Sequence, residues 1–188
     1  GQFKQPFSLE RNMPCHALYT VNRSMVVEQL AMDRDMGFMF FGDYKKKVSY
    51  NLAVMNGTGL GAIDDNNAKD WVGRVVVTPI TGVDIGGGFR YGTSAPSVVD
   101  AEDDTHTRGG LDLAVTYNEF KFFAEYIYGK DEGSYTEGGG CGGPGDIVEG
   151  SKKRNGMYAM LVWSTKWNLE PVYKYEFFEE DMDLSDNT

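Results

Sequence analysis

The sequence predicts an all-β fold, an antiparallel up-and-down meander of about eight strands. Apolar and polar residues alternate with a period of two over long stretches, turn residues separate these stretches, and the connections alternate between short and long. Because successive side chains of a strand point to opposite faces, each stretch predicts one apolar face and one polar or small face. We expect the 188 residues to form one domain, 1–188.

The clearest hairpin spans residues 71–91, WVGRVVVTPITGVDIGGGFRY. Trp71 and Val75 fall on one face of its first strand, and Arg74 falls on the other. Its second strand continues this separation, since Asp84, Arg90 and two glycines lie opposite the large apolar residues. Proline, threonine and glycine between the two runs are typical turn residues. This hairpin therefore sets the pattern for the rest of the chain.

Three further pairs of alternating stretches predict hairpins: MGFMFFG with VSYNLAVMNG, GGLDLAVTY with KFFAEYIYG, and NGMYAMLVW with LEPVYKYEF. Connections within a hairpin have about two to five residues, whereas those between hairpins have about 12 to 25 and are rich in Gly, Asp and Asn. Short turns at one end and long loops at the other are typical of outer-membrane barrels. A soluble up-and-down barrel has the same topology but buries its apolar faces.

Composition excludes some classes of function. The formal net charge of −10 and the pI near 4.6 argue against a nucleic-acid partner, which requires a basic surface. His16 and His106 each fall in a predicted loop with no arranged partner, so the sequence predicts no enzyme and no cofactor. Cys15 and Cys141 lie far apart in turn-rich segments, and either one disulfide or two free thiols fits them.

Two acidic segments offer oxygen ligands, DDNNAKD at 64–70 and AEDD at 101–104. Neither has the glycine and glutamate spacing of a dedicated calcium loop. Acidic surface loops are the better interpretation, and we predict no metal site.

Aromatic residues favour the membrane barrel over the soluble one. One group falls near the long-loop ends of the strands and another near the short turns, as in the two interfacial girdles of a bilayer protein. The first group is Trp71, Tyr91, Tyr126, Tyr128, Tyr175 and Phe177; the second is Tyr117, Phe120, Trp163 and Trp167.

Several stretches in order resemble the phosphate-selective porin O and P family of outer-membrane channels. They are GQFKQPF, RDMGFMFFG, KVSYNLAVMNGTG, NAKDWVGRVVVTP, and TRGGLDL with FAEYIYG, covering most of residues 1–130. The resemblance implies a 16-stranded barrel, usually a homotrimer, that carries small anions such as phosphate across the bacterial outer membrane. Since the chain opens without a secretory signal and ends in the acidic run DMDLSDNT, we expect an internal piece of such a barrel.

With apolar faces toward lipid, the opposite faces would line a water-filled lumen. The predicted lumen cations are Arg74, Arg90, Lys121 and Lys174, and the predicted lumen acids are Asp84, Asp112, Glu125, Glu170 and Glu176. Anion selectivity is implied by the resemblance and is not supported by this mixed charge. A general diffusion pore is an equally good interpretation.

The irregular segment Ser8–Asp35 is the predicted pore constriction, since related barrels narrow their pore with a folded-in loop. Its anion-contacting candidates are Arg11, Arg23 and Arg34, and four nearby acidic residues offset their positive charge. The Gly-rich residues 130–154 are the predicted extracellular loop.

Two alternatives remain open. A soluble β-barrel or sandwich that binds a small ligand would bury Leu113, Val115, Phe122 and Tyr126 in its core. An outer-membrane barrel with an adhesion or anchoring role would keep the orientation of the faces and place the function in the loops.

Overall fold

The computed structural model describes residues 1–62, 68–94, 104–137 and 146–182. These residues form a nine-stranded antiparallel sheet in which each strand pairs with its neighbours in the sequence. The strands are β1 (Gln2–Lys4), β2 (Arg34–Tyr44), β3 (Val48–Met55), β4 (Asp70–Ile80), β5 (Val83–Ser94), β6 (Asp104–Tyr117), β7 (Phe120–Glu137), β8 (Asp146–Trp163) and β9 (Val172–Glu179). The predicted all-β meander is therefore confirmed, with the short β1 added to the eight long strands.

The short connections are tight turns. Lys45 and Lys46 take positive φ values of 52° and 54° between β2 and β3. Asn118, with φ of 50°, begins the two-residue connection between β6 and β7. Positive φ at the turn residues matches the right-handed twist of the paired strands, so these connections hold neighbouring strands in register.

The predicted loop at 130–154 includes residues that belong to strands in the structure. Strand β7 continues to Glu137 and β8 begins at Asp146, with ladder pairing from Lys130↔Lys153 to Glu137↔Asp146. Backbone hydrogen bonds pair the strands along this extension. Its residues do not alternate between apolar and polar, so the sequence pattern did not predict it. The most glycine-rich part, 138–145, lies outside the described residues.

Residues 5–33, here called the inner segment, lie across one face of the sheet. They contain α1 (Leu9–Asn12), a 3-10 turn at Cys15–Ala17 and α2 (Met25–Leu30). Val26, Val27 and Leu30 of α2 are fully buried in the core between this segment and the sheet. Neither α-helix in the described part of the chain has the length and apolar character needed to cross a membrane.

The face that the inner segment covers is called the inner face, and the opposite one the outer face. Large apolar side chains remain exposed on the outer face, among them Phe40, Leu52, Val75, Ile85, Leu111, Tyr126, Leu161 and Tyr173. Val75, for example, has 46% of its surface exposed. On β7 the outer face is apolar from Phe120 to Tyr128 and then carries the charged Lys130 and Glu132. The fold thus buries its charged face and exposes its apolar one.

Candidate functional site

The four cations predicted from the sheet, Arg74, Arg90, Lys121 and Lys174, all lie on the inner face. Each contacts a partner there, either on the inner segment or on a neighbouring strand. The inner face and the inner segment together form the candidate site, because they bring most of the chain's buried charged groups into contact.

Arg74 and Asp112 form a two-pronged ion pair at the centre of the inner face. Arg74 Nη1 lies 2.5 Å from Asp112 Oδ2, and Nη2 lies 2.7 Å from Oδ1. Nη1 also donates to the carbonyl oxygen of Phe7 at 3.0 Å. Gly86 makes room for the pair, since a Cβ there would lie 2.4 Å from the Asp112 carboxylate. The pair therefore ties the sheet to the start of the inner segment.

Glu125 holds the beginning of α1 against β7. Its two carboxylate oxygens accept hydrogen bonds from the backbone N–H groups of Leu9 at 3.0 Å and Glu10 at 3.2 Å. Ser8 caps the same helix by accepting from the Arg11 N–H at 3.1 Å. A carboxylate at a helix N-terminus satisfies donors that have no intrahelical partner. Glu125 therefore serves as an anchor for the inner segment.

A second anchor joins the inner segment to β9. Lys174 Nζ donates to Glu10 Oε1 at 3.2 Å, and the other Glu10 oxygen accepts from the Ser24 N–H at 2.7 Å. Glu176 accepts from the backbone N–H of Met25, the first residue of α2, at 3.2 Å. Both helices are thus attached to the sheet through carboxylates.

Lys121 and Arg90 are also engaged. Lys121 Nζ donates to the hydroxyl of Tyr19 at 2.9 Å, and the Tyr19 ring stacks on Phe123 with centroids 5.7 Å apart. Arg90 pairs with the buried Asp70 at 2.7 Å. Arg90 is therefore neutralised by an acid, whereas Lys121 is hydrogen-bonded to a neutral hydroxyl and forms no ion pair within the described residues.

The three cations predicted in the constriction differ from one another. Arg11 is buried and lies 3.3 Å from Glu28, to which it donates two hydrogen bonds. Arg23 donates only to the carbonyl oxygens of Glu10 and Met13, at 3.4 and 3.3 Å. Arg34 is the first residue of β2 and is exposed. Within the described residues, Arg23 and Arg34 form no ion pair, so their charge remains available.

The predicted lumen acids divide in the same way. Asp112, Glu125 and Glu176 contact cations or backbone N–H groups on the inner face, as described above. Asp84 accepts from the Thr78 hydroxyl at 2.5 Å, and Glu170 accepts from the Ser164 hydroxyl at 2.7 Å. These last two lie by the short turns, away from the inner segment.

The prediction that His106 has no arranged partner is wrong. His106 lies within β6, where its Nε2 is 2.8 Å from Ser94 Oγ and its Nδ1 is 2.7 Å from Asp131 Oδ1. Asp131 also accepts hydrogen bonds from Arg108 and Arg154. Burial alone would raise the pKa of the Asp131 carboxyl, but the His106 contact and the two guanidinium groups hold that pKa well below its ordinary value. The network lies beyond the apolar part of β7.

Sequence reasoning missed this network because it assigned His106 to a loop. Ladder pairs join Gly92 to His106 and His106 to Asp131. Ser94 follows two residues after Gly92 and therefore lies on the same face. Extending the predicted strands β5, β6 and β7 by a few residues each would have placed Ser94, His106 and Asp131 on one face.

Metal and disulfide predictions are tested only in part. The described residues contain no cluster of three or more metal-ligating side chains. The acidic residues 64–67 and 101–103 lie outside the described residues, as does Cys141. Cys15 is exposed and forms no disulfide within the part of the chain that the structure describes.

Comparison of the chain with protein-family models found no match, and comparison with curated proteins found none either. The resemblance described above therefore remains a prediction. The structural evidence on function lies in the two faces of the sheet and the contacts of the inner segment.

Proposed function

We propose that this sheet forms part of a transmembrane β-barrel in a bacterial outer membrane. The exposed apolar outer face is the observation that carries the proposal. In water such a surface would be unfavourable by about 25 cal/mol for each Å² of apolar area, whereas lipid contacts it without that cost. The soluble alternative requires a core containing Tyr126, which is 44% exposed on the outer face.

The aromatic residues support the same orientation. Trp71 and Tyr91, paired across β4 and β5, are exposed near the long connections. Phe120 and Trp163 stack near the short turns, with centroids 5.9 Å apart. Aromatic side chains at both ends of an apolar band fit the two interfaces of a bilayer.

We infer that the barrel is a porin-like channel for small solutes, narrowed by the inner segment. The segment is attached to the inner face through Glu125, Lys174 and Arg74, so it occupies the space that a lumen would contain. The family resemblance adds two further parts to the proposal. These are selectivity for small anions such as phosphate and assembly as a homotrimer. Among the cations of the predicted constriction, Arg23 and Arg34 are the best suited to contact an anion, since neither is neutralised by an acid among the described residues.

The proposal requires more strands than the described sheet contains. Strands β1 and β9 are its two edges, and an unpaired edge cannot lie in lipid. The partners come either from other parts of the native protein or from other copies of the same sheet.

Planar-bilayer recordings on the complete native protein test the channel. We expect discrete conductance steps, and a reversal potential in a KCl gradient that shifts toward lower anion permeability in Arg23→Glu and Arg34→Glu. Lys166→Glu is the matched control, because Lys166 is an exposed cation at a short turn away from the inner segment.

Absence of conductance steps from correctly inserted protein would contradict the channel and favour the anchoring alternative. Unchanged reversal potentials in both arginine variants would remove Arg23 and Arg34 from the pore while leaving the channel itself intact.

A further inference from the structure

Ser94, His106 and Asp131 form a hydrogen-bonded chain on the inner face, at the end with the long connections. Ser94 Oγ lies 2.8 Å from His106 Nε2, and His106 Nδ1 lies 2.7 Å from Asp131 Oδ1. When Nδ1 carries the proton and donates it to Asp131, the lone pair of Nε2 faces the serine hydroxyl. This order of contacts is the one that activates a serine nucleophile on several unrelated folds.

We propose that Ser94 is the nucleophile and His106 the general base of an acyl-transfer site for small carboxylic esters. This activity is separate from the channel and does not depend on it. Asp131 is a positioning residue, since it acts through the imidazole.

The reaction balances with water as the only co-reactant. The Ser94 oxygen bonds to the ester carbonyl carbon while His106 Nε2 takes the hydroxyl proton. Collapse of the tetrahedral intermediate breaks the carbon–oxygen bond to the alcohol, and the imidazolium returns its proton to the leaving alkoxide. A water molecule, deprotonated by the same nitrogen, then attacks the acyl-serine, which releases the carboxylic acid and restores Ser94.

The site is accessible and its aspartate is held in place. The side chains of His106 and Asp131 are 25% and 20% exposed, so a small molecule can reach the imidazole while Asp131 remains partly shielded. Arg108 and Arg154 both donate to Asp131, and these contacts fix the carboxylate that accepts from His106 Nδ1.

The arrangement comes from three adjacent strands. Ser94 is the last residue of β5, and His106 and Asp131 form a ladder pair between β6 and β7. Because strand residues of the same parity share a face, all three side chains lie on the inner face. All three residues are therefore held by sheet pairing, Ser94 through its ladder pair with Asp104.

Labelling with a fluorophosphonate probe, followed by peptide mass spectrometry, tests the nucleophile in the folded native protein. We expect an adduct on Ser94 that disappears in Ser94→Ala and forms at least roughly 100-fold more slowly in His106→Gln, the loss typical of a missing general base. Ser164→Ala is the matched control and should label like the wild type, because the Ser164 hydroxyl contacts Glu170 and no imidazole.

Equal labelling of Ser94 and Ser164, or a rate unchanged in folded His106→Gln, would overturn the proposal. The role of Asp131 has its own readout, ¹⁵N chemical shifts of the histidine side chains. Spectra of His106→Gln, which lacks the His106 signals, assign them. We expect the Nδ1–H tautomer of His106 in the wild type and a mixture in Asp131→Asn. A wild-type Nε2–H tautomer would contradict the assigned roles even if the Asp131 variant failed to fold.

Discussion

At the residue scale, the Arg74–Asp112 pair provides the clearest test of the inner face. The two side chains are only 8% and 3% exposed, so removing one leaves the other charged and poorly solvated. We predict that Arg74→Ala lowers the free energy of unfolding by about 3–5 kcal/mol. The double variant Arg74→Met/Asp112→Leu should lose less, because it leaves no unpaired charge. Urea titration of the protein in detergent micelles measures both.

Lys152→Ala is the control for this prediction. Lys152 lies 3.2 Å from Glu180, but the two side chains are 40% and 74% exposed. An exposed pair of this kind contributes about 0–1 kcal/mol. Equal effects of Arg74→Ala and Lys152→Ala would show that water reaches the inner face freely.

Strand parity was enough to place Arg74 and Asp112 on one face, but it did not predict that they pair. Pairing depends on the register between strands, which sets Arg74 opposite Gly88 and Gly86 opposite Asp112. A shift of one residue would send Arg74 to the outer face. The local sequence shows which face of a strand each side chain takes, whereas the register depends on turns and on partners distant in the chain.

At the element scale, the inner segment approaches the sheet where glycine replaces a side chain. A Cβ at Gly88 would lie 2.4 Å from the carbonyl oxygen of Phe7, which is backbone and cannot rotate away. We predict that Gly88→Ala displaces the start of the inner segment and costs about 1–3 kcal/mol of stability. Hydrogen exchange of the amides of Phe7 and Leu9 should rise in this variant, as followed by mass spectrometry.

Gly109→Ala is its matched control, since a Cβ at Gly109 meets no atom within 4 Å. Both positions lie in strands, so the difference between the two variants isolates the contact with the inner segment. Comparable exchange in both variants would mean that the segment does not press on the sheet at Gly88.

The inner segment is also the element that the sequence described least well. Its MVVEQL stretch is compatible with either a short helix or a strand, and the structure makes it α2 (Met25–Leu30). Such a short helix is stabilised by burial of Val26, Val27 and Leu30 against distant strands. A local pattern cannot show that burial, whereas the alternation in β4 or β7 was visible because each strand repeats it.

At the scale of the whole molecule, the proposed function depends on which face of the sheet meets the surroundings. The inner face is covered by residues 5–33 and holds paired charges, while the outer face is apolar and bears aromatic side chains at both ends. All three tryptophans of the chain, Trp71, Trp163 and Trp167, are exposed, at 51%, 45% and 79%. Trp71 and Trp163 lie on the outer face and report directly on its solvent, whereas Trp167 lies in the connection between β8 and β9.

Tryptophan quenching in reconstituted vesicles is the most direct test of the orientation. With bromine atoms near the headgroup end of the acyl chains, we expect strong quenching by brominated lipid and little by aqueous iodide. Trp71→Phe and Trp163→Phe variants, compared with the unsubstituted protein, isolate the signal of these two side chains from that of any other tryptophan in the native protein. Strong iodide quenching with none from brominated lipid would place the outer face in water or in a protein interface, and would contradict the membrane barrel.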